Sequence, residues 1–306
     1  MKMKLARLLL IVTAACASKS APVPPQALPA PEAVRAFMQR VFTAYEHADP
    51  NAFDSSVVDP DGYFVATAPN EVWDAASFLD SHKKMLAQVK PGSWHLQSSD
   101  LRVVAAPDGK SAYFSVLVDW DFGNGNVLKG LRWTGVFANA NAAWKMSASH
   151  VSIGVDVDPN TVIAGGSAQP HDIADKVDPD AKDLLAELDA DFASPERWTK
   201  DLSDSADAFA FGNEPSGIWS GGAMIRAKLV QSLASFHVQL ARHGGARAHL
   251  VGQIGWIMTN VEARFVAEPG KQITLPMRVL AVYMREAGGW KMVQVHFSTA
   301  VSSSQN

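Results

Sequence analysis

The 306-residue sequence holds one cysteine, Cys16, so no intrachain disulfide can form. Formal net charge is −4 with no long basic run, which argues against nucleic acid as a partner. Beyond the first 16 residues, no segment is apolar enough to cross a bilayer. There is no Gly-rich phosphate loop and no G-x-S-x-G nucleophile turn. The nine histidines do not cluster with Asp, Glu or Cys, so neither a metal site nor a cofactor is implied.

The beginning of the chain is not fold-forming sequence. Lys2, Lys4 and Arg7 make a basic region, and Leu5 and Leu8 to Ala15 an apolar one too short to span a membrane. Thr13-Ala14-Ala15-Cys16 resembles a bacterial lipobox, with Thr13 where Leu is usual. Ordinary secretion with cleavage after Ala17 is the alternative. An unpaired thiol in an oxidising compartment is a liability unless used, which favours acylation of Cys16. The lipobox resemblance then implies sorting to the outer membrane, since Ala17 rather than Asp comes next. Residues 17–31 carry five prolines and read as an extended tether.

The rest of the chain is a duplication. "WKMSASHVSIGV" (144–155) and "WKMVQVHFSTAV" (290–301) share six residues at an offset of 146. Asp61, Pro69 and Trp73 match Asp207, Pro215 and Trp219, and Arg132 and Val136 match Arg278 and Val282, at the same offset. Roughly two or three identities would arise by chance at ordinary residue frequencies. The expected organisation is a signal segment (1–16), a tether (17–31), a first domain (32–157), a linker (158–177) and a second domain (178–302).

Each copy begins with helices and continues as sheet. Val34, Phe37, Met38, Val41, Phe42 and Tyr45 recur at helical spacing, as do Leu184, Leu185, Leu188 and Phe192. Asp49-Pro50 and Ser194-Pro195 read as helix caps followed by Pro at the first helical position. A further helix is expected at about 75–88 and 222–242. "SAYFSVLVDWDF" and "LKGLRWTGVFAN" flank the turn signal Gly123-Asn124-Gly125; Glu268-Pro269-Gly270-Lys271 is its counterpart. Gly130 and Pro276 predict a bulge or bend in the following strand. The fold class is α+β, with two tandem domains, each packing helices on a curved antiparallel sheet.

"LRWTGVFANANAAWKMSASHVS" and "MRVLAVYMREAGGWKMVQVHFS" resemble the ends of SnoaL-like domains of the nuclear transport factor 2-like superfamily. "FVATAPNEVW" and "FGNEPSGIW" are similar to that family's glycine–acid–proline segment leading to Trp. The resemblance covers residues 31 to 302. It implies a cone-shaped domain around a pocket, on a scaffold that hosts isomerases, cyclases, dehydratases, hydrolases and inert binding modules. The family's acid appears as Ala68 in copy one and Glu214 in copy two, while Glu71 becomes Gly217, so the two pockets differ. The Tyr plus two Asp of ketosteroid isomerase is not matched. The association domain of calcium/calmodulin-dependent kinase is similar at the last strand, but its pocket-facing Arg corresponds to Gly135 or Ala281.

Eight residues stand as ligand-binding candidates. His150 and His296 could bind a ligand or move a proton, or could hold the sheet as buried, hydrogen-bonded groups. Arg132 and Arg278 could pair an anion, or could pair a helix carboxylate or stand at an exposed sheet position. Asp61 and Asp207 could act as bases at a pocket mouth or as turn residues. Trp73 and Trp219 could cover a pocket or fill a core. The leading reading is a non-catalytic, exported and lipid-anchored binder of a small, mostly apolar molecule. The alternatives are an acid–base lyase or isomerase in one pocket, and an envelope scaffold that binds protein. A monomer is expected, its two sheets packed as an intrachain pseudo-dimer. The face expected to pack is the odd-numbered one of the last strand, Val293, Val295 and Phe297 against Ser147, Ser149 and Val151.

Overall fold

The computed structural model describes residues 29–140, 143–156, 168–236, 238–268 and 271–301. Cys16, the apolar segment before it, most of the tether, the first half of the linker, and Pro269 and Gly270 of the expected second-copy turn lie outside the described residues.

Helix α1 (Ala30–Glu46) buries the stripe from Val34 to Tyr45. A 3-10 turn (Pro50–Ala52) follows, its Asp49 side chain accepting from Asn51 N at 2.9 Å. Helix α2 (Ala75–Leu86) is capped by Asp74, which accepts from Ser77 N at 2.8 Å. The second copy repeats this with α3 (Lys182–Ala193), α4 (Pro195–Asp201) and α5 (Gly222–Phe236). Ser194 Oγ caps α4 from 3.2 Å. The helix expected to reach 242 stops by Phe236. Residues from Gln239 form a strand, where Leu240 pairs with Ala263 and lines the cone.

The strands of copy one are β1 (Val58–Val65), β2 (Val72–Asp74), β3 (His95–Ala105), β4 (Ser111–Asp121), β5 (Val127–Ala140) and β6 (Ala143–Ser152). They form a sheet in the order β2-β1-β6-β5-β4-β3. Copy two contributes β7 (Lys176–Val177), β8 (Phe209–Phe211), β9 (Ile218–Ser220), β10 (Gln239–Val251), β11 (Ile254–Glu268), β12 (Lys271–Glu286) and β13 (Gly289–Ser298). Their order, β7-β10-β11-β12-β13-β8-β9, is the same plus one edge strand from the expected linker. The pairings are antiparallel except β1 with β6, β8 with β13 and β7 with β10. The first-copy hairpin turns where expected, with Gly123, Asn124 and Gly125 all at positive φ. The bend at Gly130 is present, at φ +65° with a register shift beside it. Pro276 makes no bulge: β12 pairs continuously with β11 there, and it lies beyond the last β13 pairing at Arg278.

Three cores result. One fills copy one between α1, α2 and its sheet. A second lines copy two. The third lies where the sheets face each other, and draws Tyr63, Tyr113, Val136 and Ala148 from copy one and Trp256, Met258, Leu280, Val282 and Val293 from copy two. The packed face is not the expected one. Val295 and Phe297 belong to the second cone; of the three, Val293 alone joins the seam. The reason is a bulge: β5 pairs Val136 with Ala148 but Phe137 with Met146, and β12 pairs Val282 with Gln294 but Tyr283 with Met292. The extra residues, Ser147 and Val293, reverse the alternation, so Trp144 and Met146 join the cone core while His150 and Ser152 bond across the seam.

Candidate functional site: a hollow cone and a polar seam

The two cones share a fold but not a content. In copy one, Phe64 stacks on Phe78 at 4.3 Å and Phe78 lies against the His82 ring at 3.9 Å. Phe53 and Trp73 close on the same histidine, whose burial pulls its pKa down to about 4. Strand pairing makes Ala210 the counterpart of Phe64, because Ser149 pairs with Phe64 as Val295 does with Ala210. The burial patterns of α2 and α5 align Phe78 with Ile225 and His82 with Leu229. Three rings are thus replaced by a methyl and two aliphatic chains. The space they leave is a cavity of about 680 Å³ in copy two. Ala210, Ile225 and Leu229 all line it, with Trp219, Phe265, Met277, Val295 and Phe297.

Polar groups gather at one side of the cavity, on the loop after β8. Glu214 is exposed there, its carboxylate lying over Gly212 and Gly217, where a Cβ would approach it to 3.2 and 3.1 Å. A Cβ on Gly212 would also meet the Trp219 ring at 3.2 Å, so glycine lets the loop pass closely beneath both side chains. Asn213 is spoken for: Oδ1 accepts from Thr299 N (2.7 Å) and Oγ1 (2.9 Å), and Nδ2 donates to Val155 O (3.2 Å). Copy one supplies Val155 and Asp156 to the same wall.

The histidines and arginines face the seam. His150 Nε2 lies 2.8 Å from Ser298 Oγ; His296 lies 2.8 Å from Thr134 Oγ1 and 2.7 Å from Ser152 Oγ. Burial drives His150 down to about 3 and His296 well below the usual range, so both are neutral. Arg132 is 1% exposed and reaches into copy two, donating to the carbonyls of Gly212, Glu214 (2.5 Å) and Pro215 (2.9 Å). Arg278 reaches the other way, to the carbonyls of Ala66, Ala68 (2.7 Å) and Pro69 (2.6 Å). Burial lowers the Arg278 pKa to about 10 and also lowers that of Arg132, yet both remain cationic at neutral pH.

Of the eight candidates, Trp219 lines the cavity, Trp73 packs in the filled core, and four form the seam. Asp61 is exposed and accepts from Lys176 Nζ at 2.8 Å, a bond that holds its carboxyl below the usual range. Asp207 is an exposed turn residue whose carbonyl accepts from Tyr113 Oη at 3.1 Å. Ala210 and Ile225 were missed as site residues, and Glu214, read from the sequence as the family's acid, was not among the eight candidates. The signal for them is subtraction, since each stands where copy one carries something else. Among the described residues no three His, Cys, Asp or Glu side chains are grouped to hold a metal, and no helix is long and apolar enough to cross a membrane.

Fold and site define a tandem pair of α+β cones, one filled and one hollow, joined across a common seam. The sequence model of the SnoaL-like domain matches residues 34–156 and 189–302, and the chain belongs to that family. Solved structures similar to one copy include an NTF2-like protein of unknown function from Pseudomonas putida KT2440 (16% identity, TM-score 0.38, covering 42% of this chain and 89% of that one). A nuclear transport factor 2 (NTF2-like) superfamily protein from Salmonella enterica serovar Typhimurium LT2 is 15% identical, with a TM-score of 0.35 and coverage of 40% and 91%. An NTF2-like protein of unknown function in nutrient uptake from Rhodospirillum rubrum ATCC 11170 is 20% identical, with a TM-score of 0.32 and coverage of 40% and 98%. Among curated proteins, none matches.

Proposed function

We propose that copy two holds a small, mostly apolar molecule without transforming it, and that copy one is its structural partner. The supporting observation is the 680 Å³ cavity, apolar except at one rim, beside a sister cone closed by aromatic rings. That size falls within the roughly 300–1,000 Å³ of small-molecule sites. We place the protein at the cell envelope, exported and lipid-anchored through Cys16, as a monomer.

An acid–base lyase or isomerase is the second reading, and Glu214 beside Trp219 is what favours it. General acid–base work needs a side chain held within hydrogen-bond reach of the substrate's reacting proton. Asn213 is bonded to Thr299 and Val155 and His296 to Thr134 and Ser152, Asp156 and Glu214 are exposed carboxylates on the wall and rim, and the rest of the lining is almost wholly apolar. Binding without chemistry therefore fits better.

Titration of the mature chain with the neutral fluorescent probe N-phenyl-1-naphthylamine tests the binding reading. Saturable, blue-shifted emission is expected, and linear, non-saturating emission would remove the reading. For the anchor, Cys16→Ser is expected to move the protein from membranes to the soluble fraction. Wild-type protein already soluble without detergent would refute it.

A further inference from the structure

We infer that copy one is part of the binding site in copy two, and that Arg132 positions the rim through which a ligand meets the cavity. The inference rests on the reading of that cavity as a binding site.

The rim loop, 212–215, has few attachments within its own copy. Gly212 N donates to Gly217 O at 2.7 Å and Gly217 N to Glu214 O at 2.9 Å, bonds internal to the turn. Thr299 of its own copy donates twice to Asn213 Oδ1, and the remaining outside anchors come from copy one. Arg132 gathers three of its carbonyls, and Val155 exchanges bonds with Asn213, donating N–H to Asn213 O at 2.9 Å and accepting from Nδ2 at 3.2 Å. The Arg132 guanidinium also lies 5.3 Å from the ring centre of Phe211, itself a lining residue. Buried and fork-shaped, it can satisfy several carbonyls at once, which a lysine ammonium does less well. Gly154 permits this approach, since a Cβ there would press to 2.8 Å from the Arg132 Nη2 and 3.0 Å from Pro215 N. Val155 and Asp156 then continue from copy one onto the wall. The wall is therefore built from both copies.

Pseudo-symmetry supplies the control. Arg278 makes the same three-carbonyl clasp on residues 66–69, above the filled cone. A merely structural role predicts equal consequences for the two arginines. A positioning role predicts that Arg132 alone governs ligand affinity.

The experiment measures N-phenyl-1-naphthylamine affinity and hydrogen exchange on full mature chains carrying R132Q, R132K, R278Q or Val155→Trp. R132Q is expected to weaken the probe by about tenfold, a usual size for coupling between separate positions, and R132K by less. R278Q is expected to leave affinity unchanged. R132Q should speed exchange of the Gly212 and Gly217 amides, which R278Q should not. V155W adds bulk to the wall at a partly exposed position and should weaken the probe with the fold intact, so the test survives if R132Q does not fold. Wild-type chain that fails to bind the probe overturns the cavity reading and this inference with it. Wild-type binding, with R132Q and R132K equal to R278Q or with V155W unaltered, overturns this inference alone. An adventitious partition of probe into the seam would show as equal loss in R132Q and R278Q, and counts against it too.

Discussion

His150 and His296 stack ring on ring across the seam, their centroids 3.9 Å and their planes 19° apart. They are the same residue of the two copies, and they meet as neutral imidazoles. The pair is not symmetric in its bonds. Thr134 serves His296, but its counterpart across from His150 is Leu280, which has no hydroxyl. His150 Nδ1 accordingly has no hydrogen-bond partner among the described residues.

Acid should open this seam. Unfolded histidines take up protons near pH ~6.5, whereas burial holds the folded pair far lower. The unfolded state therefore binds more protons below that pH, and stability falls as pH drops from about 6.5 toward 3. Arg132 and Arg278, cationic throughout, add repulsion to any imidazolium formed there. Urea midpoints measured from pH 7.5 to 4.5 should decline, and the H150Q/H296Q double variant should decline less. Parallel declines would mean the pair is not the titrating element.

Asp191 should act in the opposite direction. Its side chain is fully buried, Oδ2 accepts from Tyr283 Oη at 3.1 Å, and the Arg197 guanidinium is 3.6 Å from Oδ1. Burial raises its pKa to about 7. A folded pKa above the unfolded one contributes stability below pH ~4 that is lost as pH rises through 7. Asp191→Asn keeps the tyrosine bond and removes the charge. It should be more stable than wild type at pH 8, with the gap closing at pH 5, in urea denaturation at both values.

Restoring the copy-one residue should close the hollow cone. Ala210→Phe places a ring where Phe64 stands in the filled copy. Probe binding should vanish, while stability rises by about 1–2 kcal/mol from new apolar burial. Fluorescence titration and urea denaturation of one preparation measure both. Undiminished probe binding would place the probe elsewhere.

Copy two alone, residues 178–306, should self-associate. Separation bares Trp256, Met258, Leu280, Val282 and Val293, and leaves Arg278 without its carbonyls. Light scattering should show oligomers for this fragment and a monomer for the full mature chain. A monomeric fragment would show that the seam is dispensable.

The duplication and its helices were legible because they rest on local signals. An amphipathic stripe such as Val34 to Tyr45 depends on spacing alone, and the final strands align without a gap. Which face of those strands packs at the seam was not legible, because one extra residue at Ser147 and Val293 reverses the alternation. Nor was the cavity. Phe78 and Ile225 stand 147 residues apart, not 146, and only the helix register aligns them. Arg132 and Arg278 were open between an anion, a helix carboxylate and an exposed sheet position, and both are buried. Their partners are loop carbonyls up to 83 and 212 positions away, and no property of the arginines announces these.

The crossed clasps also bear on the order in which the chain is made. Copy one emerges from the ribosome first, with Arg132 lacking the carbonyls of residues 212–215 and His150 lacking Ser298. Its seam face must wait for more than a hundred further residues, and nearly identical faces belong to every other chain folding nearby. Loop closure over such separations is slow compared with local helix and hairpin formation. Refolding at high concentration will therefore trade copies between chains, giving exchanged dimers with the same clasps made in trans, in a yield that grows with concentration.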